Sequence, residues 1–181
     1  SVKQLQRCLG LFCYYKTYIK DYSAIAKPLQ ELLHKDVKYK WEEKHQQAFD
    51  KLKELLLQPP ALAHFIPGKG AIIHTDASID GAGVALHQIQ DGKEKIIAFA
   101  SKSFDKAQRN WTTTEQELFA IHFALKKHRH LLLGEEIRII TDHAPLTHLI
   151  KNSRHHFEFN PKITRMLLFI KKFNIKEIIH K

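Results

Sequence analysis

Two short runs rich in isoleucine end in nearly the same words, Ile72-Ile73-His74-Thr75-Asp76 and Ile139-Ile140-Thr141-Asp142. This repetition constrains the fold more than any other feature of the chain. Short apolar, partly β-branched runs of this kind read as buried strands. Between them lies an amphipathic helix carrying Leu118, Ile121, Leu125 and Leu131, opening at Thr114 and closing at Gly134. A strand joined through a helix to another strand of the same sheet makes a right-handed parallel crossover in nearly every case. The two runs are therefore expected side by side, with Asp76 and Asp142 converging at their carboxyl ends, where open sheets place ligands.

The neighbouring text completes an α/β unit. Gly81 and Gly83 allow tight backbone before a strand at Val84 to Gln88, and Asp91-Gly92 supplies a hairpin turn into a strand at Lys95 to Ala100. A short helix is predicted from Ala144 to Lys151. Pro161 opens another, with Ile163, Met166, Leu167 and Ile170, and a final strand spans Ile175 to Ile179. The first third reads as helices instead. Leu5, Leu9 and Phe12 recur at helical spacing. Ser23 is a candidate cap for a second helix whose regular part is expected to begin near Pro28. A third helix follows Trp41, with Ala48, Phe49, Leu52, Leu55 and Leu56 on one face, and stops at Pro59-Pro60. The fold class predicted is α/β: a mixed sheet with flanking helices over residues 71–181, preceded by a small all-helical unit at 1–58 and a linker at 59–70.

A chain of 181 residues that is 44% hydrophobic can build such a core, which argues against disorder or a disulfide scaffold. No apolar stretch approaches the roughly 18 residues of a membrane span, and no charged-then-apolar leader opens the sequence. An intracellular, cytoplasmic protein without a membrane partner is expected, with Cys8 and Cys13 as buried thiols. Charge points to a polyanionic partner: 29 Lys and Arg against 19 Asp and Glu leave +10, with 13 His besides. Candidate phosphate contacts are Lys126, Lys127 and Arg129 at the end of the long helix, His143 beside Asp142, and Arg154, His155 and His156 in a polar segment. The helix-end cations equally suit the helix dipole. Tyr14, Tyr15, Tyr18 and Tyr22 are candidates either for stacking on bases or for a core.

Two adjacent carboxylates repel unless a cation neutralises them, and oxygen-only ligation selects Mg²⁺ or Mn²⁺. Glu117, early in the intervening helix, is the obvious third ligand. Two structural readings stand beside this one: Thr114-x-x-Glu117 matches a capping box, and Asp142 before His-Ala-Pro matches a helix start.

These residues also carry a resemblance. Leu9-Gly10-Leu11-Phe12-Cys13-Tyr14-Tyr15-Lys16, Ala26-Lys27-Pro28-Leu29 and Trp41 with Ala48-Phe49-Leu52-Lys53 resemble the thumb of reverse transcriptases from gypsy-type LTR retrotransposons. Thr75-Asp76-Ala77-Ser78, Gly81-x-Gly83, Ile97-Ala98-Phe99-Ala100-Ser101-Lys102, Thr113-Thr114-Glu115-Gln116-Glu117-Leu118 and Thr141-Asp142-His143-x-Pro145-Leu146 resemble the RNase H domain that follows that thumb. The resemblance implies a ribonuclease H-like fold that hydrolyses the RNA strand of an RNA·DNA hybrid with two Mg²⁺ or Mn²⁺ ions. It implies Asp76, Glu117 and Asp142 as catalytic metal ligands, Glu117 being preferred to Glu115. It further implies the upstream fingers and palm of a Pol polyprotein as partners and, for an active element, residence in a retroelement particle. The polymerase catalytic Asp pair belongs to that palm, so no DNA synthesis is expected of this chain. The family's fourth carboxylate follows a basic turn after the last strand. Neither Glu158 nor Glu177 stands at a matching place, so a C-terminally truncated domain and weakened cleavage are expected. The alternative is a connection-like or domesticated module that binds nucleic acid without turnover.

Overall fold

The structure, a computed structural model, describes residues 1–57, 62–151 and 160–181. Helices α1 (Val2–Tyr14), α2 (Tyr22–Glu31) and α3 (Glu43–Leu57) precede strands β1 (Ala71–Ser78), β2 (Gly81–Gln90) and β3 (Lys93–Ser103). Then come α4 (Lys106–Arg109), α5 (Thr113–Lys127), α6 (Arg129–Leu132), β4 (Glu136–Thr141), α7 (Pro145–Lys151), α8 (Pro161–Ile170) and β5 (Asn174–His180). The sheet order is β3-β2-β1-β4-β5, with β1, β2 and β3 antiparallel in sequence, and β4 parallel to both β1 and β5. This is the mixed sheet with flanking helices that the sequence predicts. Asp91 and Gly92 carry φ of 53° and 72°, the two left-handed residues of a tight hairpin turn. The first three strands outrun their apolar stretches because pairing continues through small residues, Asp76 opposite Gly83 and Ser78 opposite Gly81. A Cβ at Gly81 would stand 2.4 Å from the Lys102 carbonyl oxygen, so only glycine lets β2 approach β3 there.

Helices α5 and α8 cover one face of the sheet. Ile73, Leu86, Ile137 and Ile139 from the strands meet Leu118, Ile121 and Leu125 of α5 and Leu167 and Ile170 of α8, all essentially inaccessible to water. Each such side chain contributes about 1.5–3 kcal/mol. Helix α5 starts earlier than the sequence suggests. Thr112 is its N-cap, in a capping box with Glu115, and Thr114 lies within the first turn. It also ends earlier, at Lys127, leaving Leu131 to the short α6.

The helical part has its own buried cluster, including Leu5, Leu9, Phe12, Tyr22, Ala26, Leu29 and Leu52. Three expectations are corrected there. Helix α2 runs through Pro28 rather than beginning at it, because Ala26 and Leu29 are fully buried on either side and the helix extends only three residues further. Ser23 does not cap α2; Asp21 occupies the N-cap position, with φ of 56° and no side-chain capping bond. The Ser23 N–H instead donates to Ser101 Oγ at 2.9 Å, and Ser103 Oγ donates to the Ser23 carbonyl at 3.3 Å, which fastens α2 to β3. A Lys27–Asp80 ion pair adds to the attachment. The cysteines are not both buried: Cys13 is exposed and Cys8 half-buried. Residues five apart lie about 140° apart around a helix, so both cannot share the Leu5-Leu9-Phe12 face.

Pro59 and Pro60 lie outside the described residues. The described remainder of that stretch, residues 62–70, is held by side chains of the sheet and the β4 approach. Gln88 is wholly buried: its amide donates to the Ile66 and Gly70 carbonyls at 2.8 and 2.7 Å and accepts from the Ile66 N–H at 2.9 Å. Glu135 accepts from the Gly68 and Gly70 N–H groups. Replacing Gln88 by Leu keeps the volume but strips three backbone groups of their partner; a loss of about 2–4 kcal/mol in chemical denaturation is expected, and a loss below 1 kcal/mol would contradict this account.

His128 stands among the helix-end cations Lys127 and Arg129, yet it is 5% exposed, and its Nε2 has no hydrogen-bond partner among the described residues. Burial, with Lys127 and His130 adding to it, pushes its imidazole down to about 4 from 6.5. A histidine lowered by folding contributes stability that is full above its unfolded pKa and lost as pH falls through the folded value. Unfolding free energy is thus expected to drop by up to about 3 kcal/mol from this group between pH 6.5 and 4. His128→Phe should flatten that part of the profile, and an unchanged slope would show the loss to come from elsewhere.

Candidate metal centre

The parallel pairing of β1 with β4 runs to His74 opposite Ile140. Two residues further along each chain, on the same side of the pleat, stand Asp76 and Asp142, both exposed. Glu117 comes from the second turn of α5 and is 2% exposed. One carboxylate oxygen from each of the three lies within 4.8 Å of the others. The early start of α5 bears directly on this. Glu115, not Glu117, closes the capping box, and Glu115 also pairs with Lys162 at 2.7 Å. Glu117 has no capping task; its Oε1 accepts the Ala77 N–H at 3.0 Å, tying the helix to the end of β1.

Burial pushes the Glu117 carboxyl up to about 7, and Asp142 and Asp76 push in the same direction, against the Ala77 N–H. Its Oε2 is buried without a hydrogen-bond partner among the described residues. A buried oxygen without a donor, on a carboxylate that lies within 4.8 Å of two others, is an arrangement that a divalent cation satisfies. The donor set is oxygen throughout, which is compatible with hard cations of the Mg²⁺ and Mn²⁺ type.

Hydrogen bonds brace the site. His180 of β5 meets the Asp142 carbonyl at 2.9 Å, and the Lys181 N–H donates to the Thr141 carbonyl at 3.1 Å. His143 is half-buried, its Nε2 2.9 Å from Thr114 Oγ1, so it links the start of α5 to the end of β4. Asp76 and Asp142 open into a groove of about 560 Å³ on the sheet face away from α5. Lys20 and Asp21, from the helical part, line the same groove; the sequence offered no reason to single them out.

Other predicted contacts lie elsewhere. Lys126, Lys127 and Arg129 are exposed, but ten residues of α5 separate Lys127 from Glu117, about 15 Å along the axis. Arg154, His155 and His156 lie outside the described residues. Of the four tyrosines, Tyr22 is core, whereas Tyr14, Tyr15 and Tyr18 are exposed and in ring contact, with centroids 4.9 and 6.3 Å apart. Sequence reading also missed His74, His87 and Glu94, which meet on the groove face. Their spacing along the chain has no metal-site pattern, and only the strand register brings them together.

Comparison with known proteins agrees with this architecture. The RNase H-like domain found in reverse transcriptase matches residues 41–139. The retrovirus-related Pol polyprotein from transposon 412 of Drosophila melanogaster is 36% identical over 166 residues, and the transposon Tf2-3 polyprotein of Schizosaccharomyces pombe is 35% identical over 177. These alignments cover 90% and 96% of this chain but 13% of each polyprotein. Among solved structures, the foamy viral protease-reverse transcriptase dRH in complex with double-stranded DNA superposes with a TM-score of 0.80 at 23% identity, over 99% of this chain and 32% of that one. The foamy viral protease-reverse transcriptase in complex with RNA/DNA hybrid gives 0.77 at 23% identity, over 99% of this chain and 25% of that one. At that identity the likeness speaks to fold alone. By the extent of the sequence match, the chain belongs to the family of RNase H-like domains found in reverse transcriptase, and its relatives are transposon Pol polyproteins.

Proposed function

We propose that this chain is the part of a retroelement polyprotein that hydrolyses the RNA strand of RNA·DNA hybrids, using Asp76, Glu117 and Asp142 to hold Mg²⁺ or Mn²⁺. The observation that carries this reading is the meeting of three carboxylates within 4.8 Å, one of them buried with an oxygen that has no partner among the described residues. The chemistry supplied by a bound pair of such ions is activation of the attacking water and stabilisation of the leaving 3′ oxygen. Asp76, exposed at the end of β1, would bridge the ions in this reading. Glu117 is held by the Ala77 N–H through one oxygen, and in this reading its carboxylate serves an ion and the 2′-hydroxyl that distinguishes RNA from DNA. Asp142 is carried on backbone braced by His180, which limits how far it can swing from Asp76. In this reading residues 1–58 form a thumb-like unit and 71–181 the RNase H-like unit. The partners are a hybrid duplex and an upstream fingers and palm, met in the cytoplasm or in a retroelement particle.

One observation favours a second reading, a module that binds hybrid without cleaving it: among the described residues the cluster holds three carboxylates, with Glu177 of β5 outside it. The test is hydrolysis of a labelled hybrid with Mn²⁺ by the unaltered chain and by Asp76→Asn, Glu117→Gln and Asp142→Asn. Loss of more than about 1,000-fold, some 4 kcal/mol of barrier, is expected for Asp76→Asn. Equal cleavage by all four proteins would mean a contaminating nuclease. Absence of cleavage by any, with hybrid affinity that still falls steeply with salt, would leave the binding module.

Thermal melting gives a check that needs no turnover. Metal-free, the three acids repel, so Asp76→Asn and Glu117→Gln are expected to raise the melting temperature by a few degrees. Mg²⁺ should then raise that of the unaltered chain and leave those of the variants unmoved. A metal-induced rise of the same size in Asp76→Asn would remove the cluster from the role assigned to it.

A further inference from the structure

His74 of β1, His87 of β2 and Glu94 of β3 make a second convergent donor set, chemically unlike the carboxylate cluster. Glu94 Oε1 lies 2.8 Å from His74 Nε2 and 2.5 Å from His87 Nδ1, and the two rings are 4.5 Å apart between centroids. Different ring nitrogens of two histidines are thus aimed at one carboxylate oxygen. The ligand atoms of all three lie within 4.8 Å of one another, so movements of an ångström or so would set each about 2.0–2.2 Å from a common ion.

The sheet builds this arrangement through an irregularity. Pairing between β2 and β3 runs Leu86 opposite Ala98, then His87 opposite Ile96, skipping Ile97. Without that bulge, Ile89 would face Lys95 and Glu94 would point to the α5 side. With it, Ile97 enters the core behind the sheet, while Glu94 faces Ile89 and shares the face of His87. His74 reaches the same face because it alternates with the buried Ile73 and Thr75. Three adjacent strands therefore deliver two imidazoles and one carboxylate to one point on the groove wall, and their partly exposed side chains leave an approach from solvent.

We propose that His74, His87 and Glu94 form a binding site for Zn²⁺ or a similar first-row transition cation, distinct from the Asp76–Glu117–Asp142 cluster. Two imidazoles and a carboxylate favour such ions over Mg²⁺, and three protein ligands leave a fourth position for water or another ligand from the groove. The two clusters are neighbours: Asp76 follows His74 by two residues, about 7 Å along β1. The site does not depend on the hydrolytic reading, since none of its ligands serves the carboxylate cluster.

The experiment is Zn²⁺ titration calorimetry on the whole chain with millimolar Mg²⁺ present, alongside Co²⁺ absorption spectroscopy. The unaltered chain should take up Zn²⁺ in the presence of Mg²⁺ and give Co²⁺ ligand-field bands of low coordination number. His87→Ala, His74→Ala and Glu94→Gln should each weaken Zn²⁺ binding by more than about 100-fold, beyond what loss of an outer-shell partner costs. The Asp76→Asn, Glu117→Gln, Asp142→Asn triple variant should keep it. Glu94 stands exposed near the hairpin tip, so Glu94→Gln remains informative if a histidine variant fails to fold. Absence of Zn²⁺ uptake by the unaltered chain would overturn the proposal, as would uptake by Glu94→Gln and His87→Ala equal to that of the unaltered chain. Loss of uptake in the triple variant alone would overturn it too, by moving the ion to the carboxylates.

Discussion

The parallel pairing of β1 with β4 is the constraint on which the rest depends. It is imposed by α5, whose buried face of Leu118, Ile121 and Leu125 must lie across the strands it connects. Once the two strands are neighbours in register, with His74 opposite Ile140, their ends are fixed relative to each other. Asp76 and Asp142 are then brought together whatever their mutual repulsion, because separating them would mean breaking the ladder or uncovering the core. A few kilocalories of hydrophobic burial per side chain outweigh a like-charge contact between exposed acids, which water screens strongly. The sheet can therefore hold an electrostatically unfavourable cluster in place.

Glu117 belongs to the same construction but is more expensive. Its carboxyl is buried, and folding raises its pKa to about 7, so near neutrality the group is poised between a proton and an ion. The Ala77 N–H that it accepts keeps one oxygen fixed and leaves the other without a donor among the described residues. A neutral glutamine could satisfy the same backbone group with less desolvation. A carboxylate retained under these conditions costs stability, which makes sense at a cation site and has no evident benefit in a purely structural helix start.

How far the sequence could be read follows from how local each determinant is. Strand ends marked by Thr-Asp, a helix between them and a hairpin at Asp91-Gly92 are local signals, and the β1–β4 neighbourhood with the Asp76, Asp142 pair followed from them. The choice between Glu117 and Glu115 was harder, since two overlapping capping boxes, Thr112 with Glu115 and Thr114 with Glu117, are present and propensity does not rank them. The structure takes the first box: α5 starts at Thr113, with Thr112 as N-cap and Glu115 closing it, which leaves Glu117 without a capping role. The His74, His87, Glu94 set was illegible for a different reason. It depends on one bulge at Ile97, and a single skipped residue exchanges the faces of everything beyond it in β3. Ser23 and Pro28 misled because each obeys a local rule, capping and helix breaking, that contact with β3 and burial of Ala26 and Leu29 override.

The attachment of the helical part to the sheet gives the groove its remaining character. Helix α2 is bonded to β3 through Ser23, Ser101 and Ser103, and to the β1–β2 turn through Lys27 and Asp80. At the start of that helix, Asp21 comes so close to β2 that a Cβ on Gly83 would lie 3.0 Å from its Oδ1, and Gly83 is the residue paired with Asp76. A side chain at Gly83 would require the Asp21 carboxylate to give way by a few tenths of an ångström. The groove that receives Asp76 and Asp142 is thus completed by Lys20 and Asp21 of the helical part, so its width and charge depend on how α2 is seated.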